Sequence, residues 1–188
     1  MIQTRIIPLL LLNGESLVKT VRFNEYNYIG DPANTVKIFN ELEVDELIFL
    51  DITDPSNLKE PNFKILSNIS SESFMPLSYG GKIRNIEQVK KIFDIGFEKV
   101  SINSQAVENK NLISQIANIY GTQAIIVSID VKKNLLGNKT VRIFGGTKDT
   151  KLNPTDWAKE AENLGAGEIL LTSIDKEGTW DGFDVELV

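Results

Sequence analysis

The chain of 188 residues has 26 acidic against 20 basic side chains and a net charge of −6. Its basic residues are scattered, which excludes nucleic acid and an anionic membrane surface as main partners. With neither cysteine nor histidine, it has no disulfide framework, thiolate nucleophile or Cys-based zinc site, and acid–base work falls to Asp, Glu, Lys or Tyr. The dispersed carboxylates show no close metal-ligand spacing, so neither metal nor cofactor is expected. The opening MIQTRIIPLLLLNG is too short in its apolar run for a membrane span or signal peptide, and a cytoplasmic protein is expected.

Apolar, β-branched runs predict strands at 5–12, 46–52, 75–79, 98–102, 124–129 and 168–174. Between these runs lie segments with helical spacing. DPANTVKIFNELEV opens on Asp31 as cap and Pro32, then sets Val36, Ile38, Phe39 and Leu42 on one face. NIEQVKKIFDIG is capped by Asn85, runs through Glu87 to Phe93 and ends at Gly96. ENKNLISQIANIYG and NPTDWAKEAENLG predict two more helices. After the fifth strand, LLGNKTVRIFGG alternates across a Gly-Asn turn and predicts a hairpin. Strands alternating with helices imply parallel βαβ units, with the sheet covered on both faces or closed into a barrel.

Self-comparison favours the barrel. VDELIFLDIT (44–53) resembles AGEILLTSID (166–175), with Glu46 and Glu168 in step, and RIIPLLLL pairs with AIIVSID further on. A half-barrel repeated is the reading. The first half then has four strands and the second stops after two, where an intact chain would have roughly 240 residues, near the ~250 of an eight-stranded barrel. The expected fold is an α/β TIM barrel truncated after about strand 6, with residues 1–188 forming one domain that lacks strands 7 and 8.

Asp51, Asp130 and Asp175 each follow a strand, where a carboxylate faces the catalytic mouth of a parallel barrel or else caps the next helix. The first strand ends instead on Leu11 and Leu12. SYGGKI, with Gly80 and Gly81, and SINSQAV, with Asn103 and Ser104, lie between strand and helix. Both are candidates for anion binding, against a plain tight turn for the glycines. Arg5, Glu46, Lys99 and Glu168 stand at strand starts, so all four would meet at the barrel's bottom. Four charges of alternating sign there read most simply as a structural ion-pair ring.

RII, VDELIFLDIT, KVSIN followed by AVEN, GTQAIIVSID, and GAGEILLTSID followed by GTWDGFD together resemble HisF, the cyclase subunit of imidazole glycerol phosphate synthase, from residue 5 to the end. The resemblance implies a (βα)8 barrel that receives ammonia from a HisH-like glutaminase docked at its bottom. It makes Arg5, Glu46, Lys99 and Glu168 the gate of the ammonia passage, and turns Asp45 and Glu98 towards the glutaminase. Asp130 becomes one of two catalytic aspartates, with Lys19 as a further catalytic residue. Asp51, Gly80, Gly81, Asn103, Ser104 and Asp175 would bind a phosphorylated small-molecule ligand.

In ungapped register the second catalytic aspartate falls on Leu11, which cannot transfer a proton, and Lys82 stands where the family has a third glycine. The stretch LLLLNGESLVKTVRFNEYNYIGDPANTVKIFNELEVDELIFLDI is similar to the HisF-like paralogs of surface-glycan pathways. In those, HisF-like and HisH-like proteins supply ammonia to a separate sugar amidotransferase that makes an acetamidino group. The expected function is that of an ammonia-supplying HisF-like subunit. The alternatives are the cyclase (a lyase) of histidine biosynthesis and a non-catalytic scaffold barrel.

Overall fold

The computed structural model describes residues 4–54, 56, 59–134 and 137–188. These fall into two compact units, one built from the chain up to Lys19 with Asn27–Ser101, the other from Thr20–Tyr26 with Ile102–Val188. In chain order the first run of elements is β1 (Leu9–Asn13), β2 (Ser16–Val21), β3 (Asn24–Gly30), α1 (Pro32–Glu41), β4 (Leu47–Asp51), α2 (Phe63–Glu72), β5 (Leu77–Gly80), α3 (Ile86–Ile95) and β6 (Lys99–Ile102).

Within the first unit β1, β4, β5 and β6 pair in parallel, Leu12 opposite Asp51, Leu50 opposite Gly80 and Ser78 opposite Lys99. Connections between these strands pass through helices, as parallel pairing requires. Asp31 accepts from Asn34 N at 2.9 Å and Asn85 from Gln88 N at 2.9 Å, so both predicted caps hold. Val36, Leu66, Ile69, Val89 and Ile92 bring the apolar stripes of α1, α2 and α3 into the same core as Leu12, Leu47, Phe49, Leu77 and Tyr79. Gly96 ends α3 with φ of +115°, and a Cβ there would meet Ser70 Oγ at 2.6 Å, so the position takes glycine for conformation and for space.

The second run is α4 (Ser104–Glu108), α5 (Asn111–Tyr120), β7 (Ile125–Lys133), β8 (Lys139–Ile143), β9 (Lys148–Asp149), α6 (Pro154–Asn163) and β10 (Glu168–Ser173). Parallel β10 and antiparallel β8 both pair with β7, and β9 extends the ladder from β8. Leu112, Ile113 and Ile116 of α5 and Trp157 and Ala161 of α6 are wholly buried.

The structure departs from the sequence reading in four places. The first strand begins at Leu9 rather than residue 5. Pro8 has no N–H to add to a ladder, although its carbonyl still accepts from Ile48 N. Consequently Arg5 lies ahead of a strand rather than at the start of one. The hairpin after the fifth strand uses the end of β7 as its first arm, Lys133 opposite Lys139, while Leu135 and Leu136 of the predicted arm lie outside the described residues. Helix α2, and the β2 and β3 strands after β1, carry no prediction. Among the described residues no helix is long and apolar enough to cross a membrane.

Candidate functional site

The first unit concentrates charge at two places. Glu46 precedes β4 and is only 2% exposed. Its Oε2 takes Lys99 Nζ at 2.6 Å and Arg5 Nη1 at 3.3 Å, and its Oε1 accepts from Ser78 Oγ at 2.5 Å. Register explains the cluster, since Ser78 and Lys99 are opposite each other in the β5–β6 ladder. A carboxylate so deeply buried persists only because two cations and a hydroxyl replace its water. Asp45 next door is exposed and accepts from Ile6 N at 2.7 Å, and Glu98, also exposed, donates its own N–H to the Leu77 carbonyl.

At the opposite ends of the same strands, Asp51 closes β4. Its Oδ1 takes Lys82 Nζ at 2.7 Å and Thr53 N at 2.9 Å, and its Oδ2 accepts from Tyr79 Oη at 3.2 Å. Burial, then the Asp51 charge and the hydrogen bond to it, raise the Tyr79 phenol well above its usual range, so it remains a donor. Gly81 lies directly on the Asp51 backbone, while Gly80 packs against Leu50 and Ser101. Leu11 stands opposite Leu50 in β4 and Val18 in β2, half-buried, and Lys19 is exposed two residues beyond Leu17.

In the second unit Asp130 lies within β7, opposite Arg142 of β8 and Thr172 of β10, and is 8% exposed. Burial pushes its carboxyl up to about 7, which poises it to give or take a proton near neutrality. Because that value exceeds the 3.8 of an ordinary aspartate, native protein keeps a proton that the unfolded chain has already released between the two. This group's contribution to stability is therefore full below pH 4 and lost as pH rises through about 7. The loss is on the order of 4 kcal/mol. Asp130→Asn is expected to flatten that decline, read from urea midpoints at pH 5 and 8; an unchanged slope would contradict the assignment.

Asn103 and Ser104 are together but engaged internally. Asn103 Nδ2 donates to the Ser128 carbonyl at 3.0 Å, and Ser104 Oγ donates to Asn103 Oδ1 while accepting from Phe144 N at 2.9 Å. Asp175 follows β10 and accepts from Lys133 N at 2.9 Å, steadying the end of β7. Glu168 opens β10 opposite Ile126.

Sequence reasoning missed Ser78, Tyr79, Lys82 as the partner of Asp51, and Glu177. The Glu177 carboxylate accepts from Thr20 Oγ1 at 2.8 Å and Phe23 N at 3.0 Å, and its carbonyl from Arg22 N at 3.0 Å. Gly178 fits below Thr20 only for want of a Cβ, which would come within 2.2 Å of the Thr20 carbonyl. The sequence signals among these were Ser78, a polar residue inside an apolar strand, and Lys82, which departs from the family's glycine. Glu177→Ala is expected to speed hydrogen exchange at Phe23 by ~10-fold or more, as loss of a bond to a carboxylate worth about 1.5–3 kcal/mol implies; unchanged protection at Phe23 would refute the latch.

The model of the histidine biosynthesis protein family matches residues 5–188. A Pseudomonas aeruginosa protein named provisionally as imidazole glycerol phosphate synthase subunit hisF2 is 49% identical over all of this chain and 75% of its own length. A Leptospira interrogans protein named provisionally as subunit HisF of the same enzyme is 47% identical, over all of this chain and 74% of its own length. The imidazole glycerol phosphate synthase subunit HisF of Methanococcus vannielii is 39% identical, over all of this chain and 76% of its own length. With parallel βαβ units, a buried charge cluster ahead of the strands and carboxylates at their ends, the chain belongs to the histidine biosynthesis protein family, is HisF-like, and has that family's TIM-barrel fold.

Proposed function

We propose that this protein is an ammonia-receiving HisF-like subunit of a glutamine-dependent amidotransferase, working with a HisH-like glutaminase towards amidation of a surface sugar. The observation that carries the reading is Leu11: the strand end where the family resemblance puts an acid is apolar, while the Glu46 cluster with Lys99 and Arg5 is intact. A chain that kept a passage and gave up ring closure would show this combination. Arg5, Glu46 and Lys99 serve as the gate on this reading, with Glu168 as the equivalent residue of the second repeat, and Asp45 and Glu98 face the glutaminase. Relatives at 46–49% identity include proteins named hisF2 and hisF3 and two Leptospira proteins named HisF, and further HisF relatives stand at 39–43%.

The second reading, cyclase of histidine biosynthesis, is favoured by Asp130, whose carboxyl near 7 suits an acid–base step. The deciding experiment combines the protein with a HisH-type glutaminase of the same source and follows glutamine hydrolysis and imidazole glycerol phosphate formation together. Stimulated hydrolysis with ring closure at least ~10²-fold below a HisF standard is expected, the deficit of a missing acid–base group. Ring closure at the standard's rate would establish the second reading instead.

A further inference from the structure

Asp130, Arg142 and Asp149 form a row across three strands. Arg142 of β8 stands directly opposite Asp130 of β7 on one side and Asp149 of β9 on the other. Directly opposed residues of an antiparallel ladder share a face, with Cβ atoms about 4.5–5.5 Å apart, so one guanidinium has two carboxylates within reach. It is bound to one of them. Arg142 Nη2 lies 3.2 Å from Asp149 Oδ2, on side chains 15% and 31% exposed. Arg142 Nε is buried with no hydrogen-bond partner among the described residues. Asp130, the more deeply buried of the two carboxylates, has only burial acting on it.

The other neighbours of Asp130 within its unit supply no cation in place of Arg142. Thr172 faces it from β10. Along β7 the next residues on its side are Ser128 and Lys132, and Lys132 is exposed. Of the helices against β7, α5 carries no charged side chain, while α6 turns Asp156, Lys159 and Glu162 to solvent and pairs Glu160 with Lys110. Asp149 is the stronger competitor for Arg142 because it is fixed as an anion. Its Oδ1 accepts from Lys151 N at 2.8 Å, and that bond, with the Arg142 and Lys151 charges, holds its carboxyl below the ordinary aspartate range. We propose that Asp149 leaves Asp130 without a counterion by holding the Arg142 guanidinium on the β9 side of the row, and that neutralising Asp149 turns Arg142 towards Asp130. Arg142 and Asp149 are thus positioning residues, and Asp149 acts on Asp130 through Arg142. The inference goes beyond ammonia delivery and ring closure, since it concerns the proton of Asp130, which a protein that performs neither still carries.

The test follows the Asp130 carboxyl carbon by NMR through a pH titration of the full chain labelled at aspartate, the signal being assigned by its loss in Asp130→Asn. Wild type and Arg142→Met are expected to titrate alike, near 7, because the guanidinium is already turned away. In Asp149→Asn the midpoint is expected to fall by about one unit or more, the effect of an arginine brought beside an aspartate, which is a tenfold loss of proton affinity. That variant keeps an amide oxygen for Lys151 N, and its side chain is partly exposed, so the fold survives it. Asp149→Asn combined with Arg142→Met is expected to return to the wild-type midpoint. An unmoved midpoint in Asp149→Asn would overturn the proposal. So would a double variant shifted as far as Asp149→Asn, which would make the shift the direct field of Asp149 rather than the work of Arg142. A rise of about a unit in Arg142→Met alone would show that the cation already serves Asp130, and overturns it as well.

Discussion

Lys99→Met is expected to lower the free energy of unfolding by about 3–5 kcal/mol, and a second substitution, Glu46→Gln, to recover most of that loss. Glu46 is 2% and Lys99 12% exposed on their side chains, so removing the ammonium leaves an anion stranded in the core. Ser78 remains as a donor and Arg5 as a cation, but the guanidinium is 47% exposed and 3.3 Å away, already shared with solvent. Removing both charges replaces a costly unpaired ion by a neutral amide that still accepts from Ser78. Arg5→Ala alone is expected to cost about 1 kcal/mol or less, the ordinary value of an exposed pair. Urea unfolding of the four proteins checks the set. A loss below 1 kcal/mol for Lys99→Met would mean that water already reaches the Glu46 carboxylate. The same variants separate stability from passage: on the proposed function, the double variant folds yet delivers ammonia differently from wild type.

Leu11→Asp is expected to raise ring closure by ~10²–10⁴-fold in kcat when a glutaminase is present, the range a positioned acid–base group supplies. The strand end is suited to the change. Leu11 is half-buried, pairs with Val18 and Leu50, and is followed by Leu12, which lies opposite Asp51. Asp130, which the family resemblance makes the second catalytic aspartate, is untouched by the substitution. A Leu11→Asp variant no faster than wild type would show that the loss of cyclase chemistry lies elsewhere on the rim.

Much of the scaffold was legible because its signals are local. Asp31, Asn85 and Asn153 each announce a helix by a side chain that the structure shows accepting from a first-turn amide, and Gly96 marks a helix end that no other residue fits. Helix α2 escaped notice because its serines and asparagine dilute the apolar stripe of Ile65, Leu66 and Ile69. The turn between β2 and β3 has no Asn-Gly or Asp-Gly signature, since Arg22 and Phe23 themselves adopt φ of +53° and +62°.

For the site, Asp51, Asp130 and Glu46 stood out from pattern alone, at the ends and starts of apolar runs. Their states did not. The protonation of Asp130 depends on how completely β8 and β10 cover it, and the partner of Asp51 lies 31 residues away, brought in by the β4–β5 register. Leu11 acquired meaning only through resemblance, because a leucine at the end of an apolar strand is unremarkable by itself.

The latch on Glu177 has a consequence for treating the repeat as a set of interchangeable modules. The chain passes from one compact unit to the other between Ser101 and Ile102, which reads as a natural cut. Yet Thr20–Tyr26 belongs by its contacts to the later unit, tied to Glu177 by three hydrogen bonds. A fragment starting at Ile102 lacks that strap, so Glu177 has no ligand and the space above Gly178 stands open. The earlier fragment keeps the strap with nothing to hold it. Recombining halves of this protein with halves of other barrels therefore works best as an exchange in two pieces, with residues 20–26 travelling alongside 102–188.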